Sequence, residues 1–259
     1  MPHPATSPQP EVSSGTQAQP GARPLLVLVH GTRFDARSWH GYAQLLPQAD
    51  VVAVDLPGHG RRAGAPYTTD AALEVIDEVV RAAGAGRPVV LAGHSLGGYA
   101  VAAYAQRHPR TPAALVLIGA AAQASRHRVL TGVYSGFARL LPLVGAERMA
   151  RGANAVITRL GADPAGLPGS EAYAVLPQAW AVVIAEAGVH QLEQVSCPVY
   201  LVGGQFDQLR IDTAAYAAAC ADARVRVIPR ASHLAPLTHR AEVAAVLAEA
   251  VAQVARVAP

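Results

Sequence analysis

The chain has 259 residues, of which 51% are hydrophobic and 15% are charged. That balance is typical of one large or two small folded domains, and it excludes a largely disordered chain. All 21 basic residues are arginine, so Schiff-base and P-loop lysines are excluded, and the scattered arginines with a net charge of +3 do not indicate a nucleic-acid partner.

Residues 1–23 are rich in Pro, Ser and Gln and contain no apolar segment. They lack the basic start and apolar core of a signal peptide, and no later apolar run reaches the ~18 residues of a membrane span. We therefore expect a flexible tail over residues 1–23, a cytoplasmic protein and no membrane partner.

Apolar runs alternate with helical patterns along the first half of the chain. Continuous runs of this kind are typical of strands buried on both faces of a parallel sheet. The predicted strands are Leu25–Val29, Val51–Val54, Pro88–Ala92 and Ala114–Ile118. The predicted helices run from about Ser38 to Leu46, from a cap at Thr69–Asp70, and from about Tyr99 to Gln106.

Between residues 123 and 195 the alternation stops and only helical patterns occur. The helical pieces are Val129 to Leu141, Ala146 to Leu160 and Glu171 to Ala187, with breaks at Pro142, Pro164, Pro168 and Pro177. The alternation resumes with strands at Pro198–Gly203 and Val225–Ile228, a helix near Thr213 to Cys220, and a last helix from about Arg240 to Val254. The pattern predicts an α/β fold with a mostly parallel sheet flanked by helices. Residues 24–122 and 196–259 form its core, and residues 123–195 form a helical segment inserted between two strands.

The segment Gly93-His94-Ser95-Leu96-Gly97-Gly98 lies between a predicted strand and a predicted helix. G-x-S-x-G in that context is a nucleophile elbow, in which glycines permit a sharp turn that exposes the serine. The first amide of the helix, at Leu96, is then available to a developing oxyanion. We expect the side chain of His94 to point away from Ser95.

Two further polar residues follow the ends of later strands. Asp207 lies just past the strand that ends near Gly203, and His233 lies just past the strand that ends at Ile228. Parallel strands bring such residues to one edge of the sheet. We expect His233 to lie within hydrogen-bonding reach of the Ser95 hydroxyl. Asp212 is interpreted as the cap of the next helix.

Taken together, these motifs resemble the α/β-hydrolase superfamily, in its serine hydrolase branch with a helical cap. The resemblance extends from about Pro24 to the C-terminus. It rests on five motifs in order: His30-Gly31-Thr32, Asp55 to Gly60, Gly93 to Gly98, Gly203 to Asp207, and Ser232-His233. It implies that residues 123–195 form a cap. The sequence departs from the family in two places. The Pro-rich tail stands where the family has its first antiparallel strands, so we expect one or both of them to be missing, and the oxyanion loop reads Thr32-Arg33-Phe34-Asp35.

The residue types and the resemblance together predict a catalytic triad of Ser95, Asp207 and His233. An imidazole, whose ordinary pKa is about 6.5, can accept the serine proton, and the aspartate orients the imidazole. The resemblance implies that the backbone amide of Thr32 joins that of Leu96 in an oxyanion hole, and that His30 braces this loop. Possible substrate-binding residues are Arg33 and Phe34 beside that hole, and Tyr134, Phe137, Tyr173 and Trp180 in the cap.

We therefore expect a hydrolase that acts on a carboxylic ester, lactone or thioester of a small molecule, without a metal or a cofactor. The same triad also supports acyl transfer, perhydrolysis, C–C bond hydrolysis and lyase chemistry, because function depends on the site and not on the fold. A non-catalytic small-molecule binding protein is the remaining alternative.

Overall fold

The computed structural model describes residues 23–84 and 86–257. Residues 1–22, and with them nearly all of the predicted tail, lie outside the described residues. Within the described ranges no single helix is long and apolar enough to cross a membrane. The two helices Arg128–Val144 and Ala146–Arg159 pass that test only in combination, across a bend of 117°.

A sheet of six parallel strands lies at the centre of the molecule. The strands are β1 Leu25–Val29, β2 Asp50–Val54, β3 Val89–His94, β4 Ala114–Ile118, β5 Val199–Gly204 and β6 Ala223–Ile228. Their order is β2-β1-β3-β4-β5-β6. The predicted α/β fold class is confirmed, and every predicted strand is present. The sheet contains no antiparallel pair among the described residues.

Helices cover both faces of the sheet. They are α1 Tyr42–Leu45, α2 Thr69–Ala82, α3 Leu96–Arg107, α4 Arg128–Val144, α5 Ala146–Arg159, α6 Leu176–Glu186, α7 Thr213–Ala219, α8 Ala235–Thr238 and α9 Arg240–Val257. One buried face packs against α2 and α3, and the other packs against α1 and α9. Both faces of the central strands are therefore apolar, which explains their continuous apolar runs.

Several of the predicted helix boundaries are wrong. The helix expected over Glu171 to Ala187 is a 3₁₀ turn at Glu171–Tyr173 followed by α6, which begins at Leu176 and carries Pro177 in its first turn. The helix expected over Ser38 to Leu46 is a short 3₁₀ turn followed by α1, because Gly41 between them has a left-handed φ of 77°. Helix α2 is capped one residue earlier than predicted, by the Thr68 hydroxyl, which accepts a 3.1 Å hydrogen bond from the amide of Ala71. Helix α4 continues through Pro142 to Val144, since a proline in the last turn removes only one hydrogen bond.

Strand register brings the site residues to one edge. β1 lies between β2 and β3, so the strand order reverses at β1, and a parallel α/β sheet binds ligands at such a point. Val29 pairs with Gly93, and Ile118 lies between His94 on one side and Val202 on the other. The loops that follow β1, β3, β4, β5 and β6 consequently start at the same level.

The helical segment between β4 and β5, residues 123–195, is called the insert. It has a small apolar core of its own, which includes Leu141, Ala150, Tyr173 and Leu176. A second cluster joins Ile157 of the insert to Phe34 and Leu237 of the core. These contacts hold the insert over the carboxyl edge of the sheet.

Asp212 holds the first residues of the insert. It occupies the N-cap position of α7, as predicted, but its carboxylate makes no hydrogen bond to that helix. The carboxylate instead accepts hydrogen bonds from the amide of Gln123 at 2.8 Å and from Nε2 of His127 at 2.7 Å. The chain leaving β4 passes close enough to compete for the carboxylate, which the sequence alone does not reveal.

Candidate active site

Ser95 lies at the turn between β3 and α3. Its φ of 52° is in the left-handed region, which a residue with a side chain seldom adopts. The turn is held by a 2.8 Å hydrogen bond from the Ser95 amide to the carbonyl of Ile118. Strain of this kind persists only where the surroundings enforce it, and it is the geometry of a nucleophile elbow.

The glycines on either side of Ser95 make this turn possible. A Cβ at Gly93 would lie 2.1 Å from the carbonyl oxygen of Gly97, and a Cβ at Gly97 would lie 2.3 Å from that of Val29. Both contacts are far inside van der Waals distance and involve backbone atoms. Helix α3 can therefore approach β1 and β3 only because these two positions carry no side chain.

Asp207 and His233 meet above the ends of β5 and β6. Nδ1 of His233 donates a 3.0 Å hydrogen bond to Oδ1 of Asp207, which also accepts a 2.8 Å hydrogen bond from the amide of Leu209. Burial raises the pKa of Asp207, but the hydrogen bond and charge of His233 and the Leu209 amide outweigh it, and the net pKa is lowered. Asp207 is therefore a carboxylate at neutral pH and fixes the proton of His233 on Nδ1.

Ser95 and His233 line the same cavity, yet no hydrogen bond joins them among the described residues. The sequence led us to expect the two side chains within hydrogen-bonding reach. Hydrogen bonds between a nucleophile and its base are often long or poorly aligned in the absence of substrate. The structure thus brings the three predicted triad residues to one site, with the hydrogen bond between Asp207 and His233 formed.

Gly119, directly after β4, is a site residue that the sequence analysis missed. Its φ is 59°, and a Cβ there would lie 2.8 Å from both Oδ2 of Asp207 and Nδ1 of His233. Gly119 therefore leaves the space in which the aspartate and the histidine pair. The available signal in the sequence was a glycine at the end of β4, where no acidic residue follows the strand. Its role becomes clear only from the structure, in which β4 lies beside β5 and thus beside Asp207.

His94 makes contacts with His233 that the sequence did not indicate. Its ring is buried at the cavity wall, 4.8 Å from the ring of His233, and its Nε2 donates a 2.8 Å hydrogen bond to the backbone carbonyl of His233. Burial and the neighbouring charge of His233 lower the pKa of His94 to about 3. His94 is therefore neutral, and it supports His233 through its ring contact and its hydrogen bond to the backbone of that residue.

The two predicted oxyanion donors belong to the loop after β1 and to the start of α3. Leu96 is the first residue of α3, so its amide has no carbonyl partner within the helix. Thr32 follows β1, and its hydroxyl accepts a 3.1 Å hydrogen bond from Nε1 of Trp180 in α6. Both residues line the cavity that Ser95 lines.

Buried polar residues support the loop that carries Thr32. Nε2 of His30 accepts a 3.0 Å hydrogen bond from the amide of Leu56, so its Nδ1 carries the proton and donates at 2.9 Å to the carbonyl of Gly31. Burial, followed by the charge of His59, lowers the pKa of His30 to about 3. The expected bracing role of His30 agrees with these contacts.

The cavity has a volume of about 200 Å³ and its wall is mostly apolar. Five of the six residues predicted as possible substrate contacts line it, namely Arg33, Phe34, Tyr134, Phe137 and Trp180. Tyr173 does not line the cavity; its hydroxyl accepts a 3.4 Å hydrogen bond from Arg33. Five further apolar residues line the cavity, and no motif in the sequence indicated them: Tyr99, Leu176, Val183, Leu209 and Leu234.

A parallel sheet with a strained serine elbow and an Asp–His pair at its carboxyl edge defines the α/β-hydrolase class. The profile of the alpha/beta hydrolase family matches residues 26–246. The chain belongs to this family.

Several characterised proteins are similar to part of the chain. Lipase LipV of Mycobacterium tuberculosis is 37% identical over 111 residues, which are 42% of each chain. A monoacylglycerol lipase of Mycolicibacterium smegmatis is 31% identical over 137 residues, 49% of each chain. The chain thus spans less than half the length of these curated relatives.

Solved structures resemble the fold over most of its length. A thermophilic esterase from Thermogutta terrifontis superposes with a TM-score of 0.73 at 23% identity, covering 90% of this chain and 91% of the esterase. A putative non-heme bromoperoxidase of Mycobacterium tuberculosis gives a TM-score of 0.72 at 17% identity, covering 93% and 94%. At these identities the likeness concerns the fold alone.

Proposed function

We propose that the protein is a serine hydrolase that cleaves a carboxylic ester, lactone or thioester of a small molecule through an acyl-enzyme at Ser95. The observation that carries the proposal is the hydrogen bond between Asp207 and His233 at the cavity that the strained Ser95 lines. A serine in an ordinary turn needs neither the strain nor these two neighbours.

Acylation begins with the proton on the Ser95 hydroxyl. Because Nδ1 of His233 donates to Asp207, the free Nε2 accepts this proton as the serine oxygen bonds to the substrate carbonyl carbon. The carbonyl π electrons move to oxygen and form a tetrahedral oxyanion. Asp207, held as a carboxylate, stabilises the imidazolium that forms.

The amides of Thr32 and Leu96 would donate to the oxyanion. A donor of this type contributes about 3 to 4 kcal/mol to transition-state stabilisation, because it is in place before charge develops. The positive end of α3 adds to the effect. When the oxyanion collapses, the leaving group departs with the proton from Nε2 of His233, and the acyl group remains on Ser95.

Deacylation repeats these steps with water. Nε2 of His233 takes a proton from the water as its oxygen attacks the acyl carbon, and the second tetrahedral oxyanion uses the same amides. Collapse of this oxyanion breaks the bond to the serine oxygen, which recovers the proton from His233. The products are a carboxylic acid and the original enzyme.

The walls of the cavity favour an apolar group next to the reacting carbonyl. Aromatic surface there comes from Phe34, Tyr134, Phe137 and Trp180, and the side chain of Arg33 contributes a guanidinium group to the cavity wall. These are the residues that we propose to contact substrate. The names of the lipase, monoacylglycerol lipase and esterase relatives agree with ester chemistry.

Replacing Ser95 by alanine tests the proposal directly. We expect Ser95→Ala to abolish labelling by a fluorophosphonate and to lower turnover of a p-nitrophenyl ester by roughly 10⁴-fold or more. The matched control is Ser125→Ala, at an exposed serine of the insert, which should retain both properties. Undiminished labelling of Ser95→Ala would remove the basis for a serine acyl-enzyme.

Product analysis separates hydrolysis from transfer chemistry on the same triad. The wild-type enzyme is incubated with a p-nitrophenyl ester alone, with added alcohol and with added hydrogen peroxide. Hydrolysis predicts the free acid as the main product under all three conditions. A new ester or a peracid as the main product would instead assign the acyl-enzyme to transfer or perhydrolysis.

A further inference from the structure

Helix α4 presents an apolar stripe to solvent. Val129, Val133, Leu140 and Val144 fall within about 60° of one another on a helix of 3.6 residues per turn, and Leu143 adjoins them. Val129 is 82% exposed, Val133 62% and Leu143 81%. The adjoining side of α4 packs into the insert through Leu141. The exposed stripe is therefore additional to the face that folding requires.

The charged side chains of α4 itself are all arginine, and Asp212, a carboxylate beside the start of the helix, is paired with His127. No aspartate or glutamate occurs between Glu78 and Glu147. Arg126, Arg128 and Arg139 lie on or beside α4, and none of the three pairs with a carboxylate in the part of the chain that the structure describes. An apolar stripe bordered by unpaired arginines is complementary to a surface that is apolar inside and anionic outside.

A groove lies between this stripe and the candidate active site. It has a volume of about 560 Å³, and Val129, Val133 and Ile211 contribute to its apolar wall. Tyr134 and Gln208 line both the groove and the cavity that contains Ser95. A molecule held on the outer face of α4 therefore lies beside the wall of the catalytic cavity.

We propose that the outer face of α4, with Arg126, Arg128 and Arg139, docks on the surface of an anionic lipid bilayer. Leucine and valine side chains enter the boundary between head groups and acyl chains, and the arginines contact lipid phosphates. This is peripheral binding, distinct from the spanning segment whose absence led us to expect no membrane partner. The proposal does not depend on the hydrolytic activity.

Vesicle co-sedimentation of the full chain tests the apolar contacts. We expect binding to phosphatidylcholine vesicles that contain about a third phosphatidylglycerol, and much weaker binding to phosphatidylcholine alone. Exchanging the two most exposed residues, Val129→Gln together with Leu143→Gln, should weaken binding at least about tenfold. The control is Leu45→Gln with Val225→Gln. These residues lie outside the insert and are 45% and 44% exposed, so this variant should bind as the wild type does.

A second pair of variants tests the charges. Arg128→Gln with Arg139→Gln should weaken binding to the anionic vesicles about fivefold for each arginine, and Arg110→Gln with Arg256→Gln should not. Circular dichroism and thermal melting verify that all variants are folded. Failure of the wild-type protein to sediment with anionic vesicles, or equal loss in the control pairs, would overturn the proposal. A second contrary result would be a wild-type protein that does not bind vesicles but forms a dimer in sedimentation velocity. If Val129→Gln with Leu143→Gln abolished that dimer, the stripe would be an interface between copies of the chain.

Discussion

Nε1 of Trp180 donates a 3.1 Å hydrogen bond to the hydroxyl of Thr32. This bond joins α6 of the insert to the loop that follows β1, 148 residues away along the chain. It fixes the side chain of the residue whose amide we propose as an oxyanion donor. The insert therefore contributes both cavity wall and support for that loop.

Removing this hydrogen bond should change the activation free energy of turnover more than it changes the free energy of unfolding. We expect Trp180→Phe and Thr32→Val each to reduce kcat up to about tenfold, because a neutral hydrogen bond is worth about 1 kcal/mol and its loss frees the loop. If the two act through one bond, the double variant should be no worse than the poorer single variant, a coupling of about 1 kcal/mol in a double-mutant cycle. Additive losses in kcat would show that the two residues act separately.

Gly119 should be required for activity although it carries no functional group. In Gly119→Ala the methyl group would occupy the space beside Asp207 and His233, so we expect kcat to fall about 10²-fold or more as the pair is displaced. The control is Gly161→Ala, where φ is also positive, at 95°, and no atom lies within 4 Å of the added carbon. Both variants should lose at least about 1 kcal/mol in urea unfolding from backbone strain, and only Gly119→Ala should lose activity. Retention of full activity in Gly119→Ala would contradict the steric role.

Acid should destabilise the fold through its buried histidines. His30 and His94 have pKa values of about 3 in the folded protein, below the ordinary 6.5, because burial disfavours their charged forms. As the pH falls below about 6.5, the unfolded chain binds protons that the folded protein does not, so stability declines until the pH approaches about 3. Between about pH 7 and about pH 5, each of these two histidines should lower the free energy of unfolding by about 2 kcal/mol. His59, whose pKa is also lowered by burial, acts in the same direction.

Urea unfolding at these two pH values measures the effect. The loss of stability on acidification should be smaller by about 2 kcal/mol in His94→Phe, which removes one of the two strongly shifted groups. It should be unchanged in His40→Asn, because His40 is exposed. An equal loss in wild type and in His94→Phe would assign the acid sensitivity to other groups.

The sequence by itself determined the features that depend on local patterns. Continuous apolar runs identify β1 and β4 with their observed bounds, because a strand buried on both faces needs apolar side chains at every position. The glycines around Ser95 identify the elbow, because only glycine tolerates such close backbone contacts. The positions of Asp207 and His233 follow from the same reasoning, since parallel strands bring their ends to one edge.

Tertiary structure decided the features that depend on which segments are neighbours. The Asp212 carboxylate binds Gln123 and His127 of the insert instead of capping α7, and the ring of His94 turns towards His233. Nothing in the residues around these positions encodes the choice, because each partner lies 85 or more positions away in the chain. Periodicity and backbone preferences are local properties, whereas a polar side chain bonds to whichever group the packed fold brings within about 3 Å.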